Sequence, residues 1–90
     1  VIGSNVCISQ GALLLTGNHD YTISSMPYRN AAILIEDGVW IGAKTTVCPG
    51  VTVHRNAILT VGSVATKEME ENGIYQGNPA VKIRERKIKE

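Results

Sequence analysis

The amino-acid sequence predicts an all-β chain wound as a parallel β-helix, and three observations predict it. Large aliphatic residues recur every six positions. Glycine or asparagine recurs three places after them. Phe is absent and a single Trp is present among 90 residues, while Val, Ile, Ala, Thr and Gly abound. Six is the period of neither an amphipathic helix nor an alternating strand, and a fixed internal period marks a repeat architecture. Small and β-branched residues suit strands and close stacking better than a helical core.

The first block of coils is residues 1–17. Stepping by six from Ile2 reaches Ile8 and Leu14. In the second block, residues 35–67, the same step from Ile35 reaches Ile41, Val47, Val53, Leu59 and Ala65. These side chains are predicted to point inward. Four places after most column residues stand Val6, Ala12, Val39, Thr45, Val51, Ala57 and Ser63, all small or β-branched, while after Leu14 the place is held by Asn18. Three places after stand Asn5, Gly11, Gly17, Gly38, Gly50, Asn56 and Gly62, with Lys44 the exception. A column of Gly and Asn asks for positive φ, which those residues adopt at least cost. Pro49–Gly50 is the usual central pair of a type II turn. Each unit therefore reads as a short strand and a sharp corner. Three units close a triangular coil, and coils stack at about 4.8 Å. Spacing alone leaves the hand open, and the general rule for parallel crossovers predicts a right-handed one.

The two blocks are out of phase. The step from Leu14 to Ile35 is not a multiple of six. Residues 18–34 are thus expected to leave the coil as a loop and return, with His19 at the exit between Asn18 and Asp20. After Lys67 the repeat fades into a tail, residues 68–90. There Pro79 is placed for the first turn of a short helix from about Ala80. Residues 1–90 read as a single domain. The chain opens on Val1 in mid-pattern, so its native N-terminus is expected to be missing.

Composition narrows the function classes. A chain this short buries only about 60–65% of its unfolded surface and gains from a partner. A net charge of +1 creates no field to recruit nucleic acid. No apolar run is long enough for a membrane span, and no secretory leader is evident. Cys7 and Cys48 show no metal-type spacing. A reduced, cytoplasmic protein is expected.

The segments "IGSNVCIS", "GNHDY", "IEDGVWIGAKTTVCPGVTV", "LTVGSVATKEM" and "QGNPAVKIRER" together resemble the hexapeptide-repeat acyltransferases. More narrowly they resemble the branch holding galactoside and maltose O-acetyltransferases and colanic-acid-type exopolysaccharide acetyltransferases. The resemblance implies a left-handed parallel β-helix assembled as a homotrimer. It implies acetyl-CoA as co-substrate in a groove between subunits, a sugar hydroxyl as acceptor, and no metal.

Acyl transfer to a hydroxyl needs a base, a donor for charge developing on the thioester oxygen, and two substrates held in line. The resemblance makes His19 that base, a role for which imidazole is suited. Family members place this histidine after "TG" directly or one residue later; here Asn18 intervenes. Asn18, Asp20 and Trp40 are expected at the acceptor, with Tyr21, Tyr28 and Arg29 nearby in the loop. Trp40, between inward Val39 and Ile41, points outward. The Ala43 amide resembles the family's oxyanion or pantetheine donor. Val61 and Gly62 match the run of amides along the pantetheine arm. Thr66 and Lys67 match the pair near the adenosine and its phosphates. Arg84, with Arg86 after it, matches basic residues that meet those phosphates. Read by type alone, the charged residues are solvated surface groups, and His54 is a surface histidine. Two rival functions share the fold. A zinc carbonic anhydrase needs three histidine ligands, whereas this chain has His19 and His54. A non-catalytic trimeric module would need neither the GNHD loop nor the TK…GNPA tail.

Overall fold

The computed structural model describes residues 1–89. Very short strands mark the repeat. They are β1 (Cys7–Ile8) and β2 (Leu13–Leu14), then, after the hairpin strands β3 (Gly17–His19) and β4 (Tyr28–Asn30), β5 (Leu34–Ile35), β6 (Trp40–Ile41), β7 (Thr46–Val47), β8 (Thr52–Val53), β9 (Ile58–Leu59) and β10 (Val64–Ala65). Every repeat strand ends on a residue of the six-step column. β11 (Gly73–Gly77) and β12 (Ala80–Glu85) complete the chain.

Parallel pairing joins every third repeat strand. β1, β6, β9 and β11 form a first sheet with β12 at its edge; β2, β7 and β10 form a second; β5 and β8 form a third, extended by bridges Ile2↔Ile35 and Val53↔Met69. The register pairs Trp40↔Ile58, Thr46↔Val64 and Leu34↔Thr52 each span three steps of six, which is one full coil. Between the blocks the pair Cys7↔Trp40 spans more than a coil, and the excess is the insertion.

The period has a direct physical cause. Ile35, Ile41, Val47, Val53, Leu59 and Ala65 are at most 3% exposed and share one core with Val39, Val51 and Ala57. In the first block, by contrast, Leu14 is only partly buried and Ile2 and Ile8 stay 52% and 38% exposed, because that coil is covered on one side only. Burying each larger aliphatic contributes about 1.5–3 kcal/mol. Thr45 is also buried, its hydroxyl donating to the Gly42 carbonyl at 2.8 Å. The corners carry the positive φ that the Gly/Asn column predicts: Asn5 57°, Gly11 74°, Gly38 73°, Gly50 80°, Asn56 60° and Gly62 75°. Lys44, the exception by residue type, adopts the same conformation at φ 54°. Gly17, counted in that column, does not. It opens β3 instead.

The tail departs from expectation. No helix forms at Ala80. Residues 80–85 pair antiparallel with β11, and β11 pairs parallel with β9 through Ile74↔Ile58 and Tyr75↔Leu59. β11 presents an unpaired edge whose N–H and C=O groups need partners, and a strand returning through the Gly77–Pro79 turn supplies them. The inward column also continues past Lys67. Met69 is 1% exposed and Tyr75 8%. Met69 lies opposite Val53, a step that falls short of three sixes, so one corner of this coil is shortened. Residues 66–68 make that shortened corner. Beyond β12, Arg86 donates through Nη1 to the carbonyls of Gly38 (2.8 Å) and Asn56 (3.2 Å), and its N–H donates to Asn72 (2.6 Å). It ties the chain end to a column of corners.

Candidate active site

The chain leaves the stack after β2 and turns back as a hairpin in which His19 lies opposite Tyr28. The tip is tightly tied. The Asp20 carboxylate accepts from the Thr22 amide (3.0 Å) and hydroxyl (2.5 Å) and sits 3.6 Å from the Arg29 guanidinium. The Thr22 hydroxyl, then its amide, hold the Asp20 carboxyl below the usual carboxylate range. Asp20 thus serves the tip and does not orient the histidine ring.

A backbone group does that. Met26 has φ 46°, in the left-handed region, and His19 Nδ1 lies 2.9 Å from its carbonyl oxygen. A carbonyl only accepts, so Nδ1 carries the proton and the neutral ring keeps its lone pair on Nε2. The Tyr28 ring meets the imidazole edge-on, with centroids 5.6 Å apart and planes at 75°. Gly17 makes room for this packing: a Cβ there would run into Tyr28 Oη and stand 2.9 Å from Asn30 Oδ1. Gly17, His19, Tyr28 and Asn30 share one face of the hairpin, whereas Asn18 and Arg29 share the other. Met26 had no signal in the sequence, because its contribution is a carbonyl.

A second group forms at the corner between the first and second sheets. The Gly62 N–H donates to the Ala43 carbonyl at 3.0 Å, and the Gly42 N–H to the Leu59 carbonyl at 2.8 Å. A Cβ on Gly42 would stand 2.7 Å from the Leu59 oxygen and 2.9 Å from the Val61 nitrogen, so only glycine permits this approach. Among the described residues, the amides of Ala43 and Val61 find no partner in the chain. The equivalent corner amide of Arg55 is taken by the Glu36 carboxylate at 3.1 Å. Trp40 is 45% exposed and donates its indole N–H to the Ser9 hydroxyl at 3.0 Å. With Gly42, Ile58, Leu59, Thr60 and Val61 it lines an apolar cleft of about 150 Å³. Outward residues of the first sheet run Trp40, Ile58, Ile74, Arg84 in register, which puts an exposed arginine at the end of the stack.

Thr66 and Lys67 lie elsewhere, exposed on the shortened corner between the second and third sheets. The hairpin leaves the first coil at that same edge. The expected site residues therefore fall into two groups at opposite edges of the second sheet. His19, Asn18, Asp20, Thr66 and Lys67 are at one edge; Ala43, Val61 and Gly62 are at the other, with Trp40 and Arg84 beyond on the first sheet. A single chain does not bring the groups together.

His54 is more than a surface histidine. Its Nδ1 is 3.2 Å from Glu36 Oε1, and its Nε2 bonds Glu68 Oε2. Glu68 first, and then Glu36, raises its pKa above the ordinary histidine value against partial burial. Part of this was readable: Glu36 and His54 are separated by three steps of six, one coil in register. Among the described residues no three His, Cys, Asp or Glu side chains gather to hold a metal, and no helix is long and apolar enough to cross a membrane.

Known proteins similar to this chain in sequence and fold include acetyltransferases. The chain is 35% identical over 85 residues to an Escherichia coli (strain K12) protein provisionally named colanic acid biosynthesis acetyltransferase WcaF, covering 94% of this chain and 47% of that protein. It superposes on a galactoside acetyltransferase in complex with coenzyme A with a TM-score of 0.87 at 32% identity, covering 93% of this chain and 44% of the other. A hexapeptide-repeat-containing acetyltransferase of Vibrio cholerae O1 biovar eltor, complexed with acetyl-coenzyme A, gives a TM-score of 0.90 at 27% identity over 97% of this chain and 49% of that one. No protein-family model matches the chain. The chain spans about half the length of the curated relatives it matches.

Proposed function

Since this chain shares its sequence pattern and its fold with the hexapeptide-repeat acetyltransferases, we propose that it forms the repeat domain of an acetyl-CoA-dependent O-acetyltransferase acting on a sugar hydroxyl. On this reading the stacked sheets wind as a left-handed parallel β-helix, three copies assemble, and the reaction runs in the cytoplasm.

The observation that carries the proposal is the His19–Met26 hydrogen bond. It fixes the tautomer whose free Nε2 can accept a proton, on the hairpin that interrupts the repeat. In the reaction Nε2 takes the acceptor hydroxyl's proton as its oxygen bonds to the thioester carbon. Negative charge passes to the carbonyl oxygen, and the Ala43 N–H, which no group of the chain occupies, donates to it. The adduct collapses by breaking the C–S bond, and the sulfur leaves as a thiol with the proton that Nε2 returns. The products are the acetyl ester and free coenzyme A. The enzyme forms no covalent intermediate.

The remaining residues bind. The cleft beneath Trp40 suits the pantetheine arm, beside the Val61 amide and the Gly62 corner. Lys67, with Thr66 beside it, and Arg84 of a neighbouring copy offer positive charge to the phosphates. Asn18, on the hairpin face opposite His19, and Asp20, which ties the tip, bound the acceptor region from the hairpin without sharing the His19 face. The two groups lie at opposite edges of one sheet, so each site is completed by a neighbouring copy.

The test is release of free thiol from acetyl-CoA across a panel of sugars and amino-sugars. Wild type is expected to release thiol only with an accepted sugar. His19→Ala is expected to lower that rate by about 10²–10⁴, the range of a lost general base. Sugar-dependent release at the wild-type rate in the variant would remove His19 from the mechanism.

A further inference from the structure

The ring of His54 lies between two carboxylates on neighbouring coils. Glu36 follows β5, in the coil before it, and Glu68 precedes Met69, in the coil after it. Among the described residues, these are the ionisable side chains that meet the ring. Arg55, next along the chain, touches the cluster through its backbone N–H, which donates to Glu36 Oε1 at 3.1 Å. A neutral imidazole has one N–H and satisfies one carboxylate. Only the imidazolium donates from both nitrogens.

The arms of the cluster differ. Glu36 is held by the Arg55 amide as well as by the ring. Glu68 is the more exposed, at 67% against 45%, and sits directly after Thr66 and Lys67. Backbone bonds hold the ends of this shortened corner: Cys48 N–H to the Ala65 carbonyl at 3.0 Å, Met69 N–H to the Thr52 carbonyl at 2.9 Å, and His54 N–H to the Met69 carbonyl at 3.0 Å. Between those ends, among the described residues, the tie is the Glu68–His54 contact.

We propose that Glu36, His54 and Glu68 form a proton-operated latch that fixes the Thr66–Lys67 corner, and with it the nucleotide end of the acetyl-CoA groove, while His54 is protonated. The consequence for acetyl-CoA rests on the reading of Thr66 and Lys67 given above; the latch itself does not. Because both carboxylates favour the charged ring, the latch is closed below the ordinary histidine pKa of 6.5. It opens as pH rises through the elevated folded value. On opening, a lone pair faces a carboxylate, and Glu68, the less anchored arm, releases.

The experiment has two readouts on the full chain between about pH 5.5 and 9, a range that spans histidine and leaves carboxylates ionised. The first is the hydrogen-exchange protection factor of the Met69 amide, with no ligand present. It is expected to fall about two- to fivefold, the scale of an exposed ion pair, as His54 loses its proton. His54→Gln and Glu68→Gln are expected to show the low value at every pH. Constant protection in wild type, or an unchanged step in both variants, overturns the latch. The second is acetyl-CoA binding by calorimetry, with Lys67→Ala alongside. Affinity falling with the same pH step, and losing that step in His54→Gln, supports the coupling. An exchange step with pH-independent affinity, where Lys67→Ala weakens binding, overturns the coupling. Lys67→Ala with wild-type affinity instead overturns the assignment of Lys67 to the acetyl-CoA site, and the exchange readout still judges the latch.

Discussion

Ala43 is assigned its role through an amide, and an amide leaves no mark in residue type. Its neighbour in the next corner supplies the test. Pro49–Gly50 stands where Ala43–Lys44 stands one corner earlier, and Lys44 and Gly50 both hold positive φ, at 54° and 80°. Ala43→Pro thus puts proline at a corner position that already accepts it, and removes a donor with no partner inside the chain. Thermal stability is expected to stay close to wild type. If the amide stabilises the oxyanion, kcat falls about 10²–10³ with little change in KM. If it holds the pantetheine arm, KM for acetyl-CoA rises instead. Wild-type steady-state constants would remove Ala43 from the site. The same logic separates what was legible from what was not. The position of His19 on an excursion from the stack was readable because the repeat breaks beside it. The Met26 carbonyl was not, because nothing about a methionine announces φ 46°. His54 was half readable, since one carboxylate lies a full coil away in register. The other arrives through a shortened corner that no period announces.

The elements followed from the sequence wherever one periodicity governed both faces of the chain. Columns of inward aliphatics and positive-φ corners were legible, and in the second block, where each repeat is stacked between like neighbours, the column is buried. In the first block Ile2 and Ile8 remain 52% and 38% exposed because their coil is covered on one side only. The tail was not, because its partner is an edge: β12 forms to satisfy β11, and the edge exists only once the coils have stacked. Gly17 shows the same limit inside the hairpin. Its spacing matches the corner glycines, yet its reason is the Tyr28 side chain crossing its Cα. Gly17→Ala is therefore expected to act on chemistry more than on folding. The new methyl displaces Tyr28, the ring that meets His19 edge-on, and moves the base relative to its acceptor. A displacement of about 1 Å is enough for a loss of order a hundredfold. We expect kcat to fall tenfold or more, with KM for acetyl-CoA within about twofold of wild type. A melting temperature lowered in step with activity, with kcat restored at low temperature, would instead make Gly17 a folding glycine.

At the scale of the whole molecule the decisive fact is separation. His19 stands at one edge of the β2–β7–β10 sheet and the Ala43–Val61 corner at the other. The outward face between them carries Leu13, 56% exposed, with Val61 beyond it at 69%. A closed ring of identical chains places the first edge of each copy beside the second edge of the next, by heterologous contacts related by rotation. The proposal makes a quantitative claim about mixtures. His19→Ala chains lack the base and Ala43→Pro chains lack the amide, so each alone is inactive where the amide bears the oxyanion. Unfolded together in equal amounts and refolded, they form rings in which each site draws one component from each of two neighbours. Random mixing then gives an intact pair in about a quarter of sites. Thiol release near a quarter of wild type, at a sedimentation coefficient three copies would give, is the expected result. No recovery from well-folded mixed trimers would mean that each chain builds its site alone, and the two edges would then need another explanation.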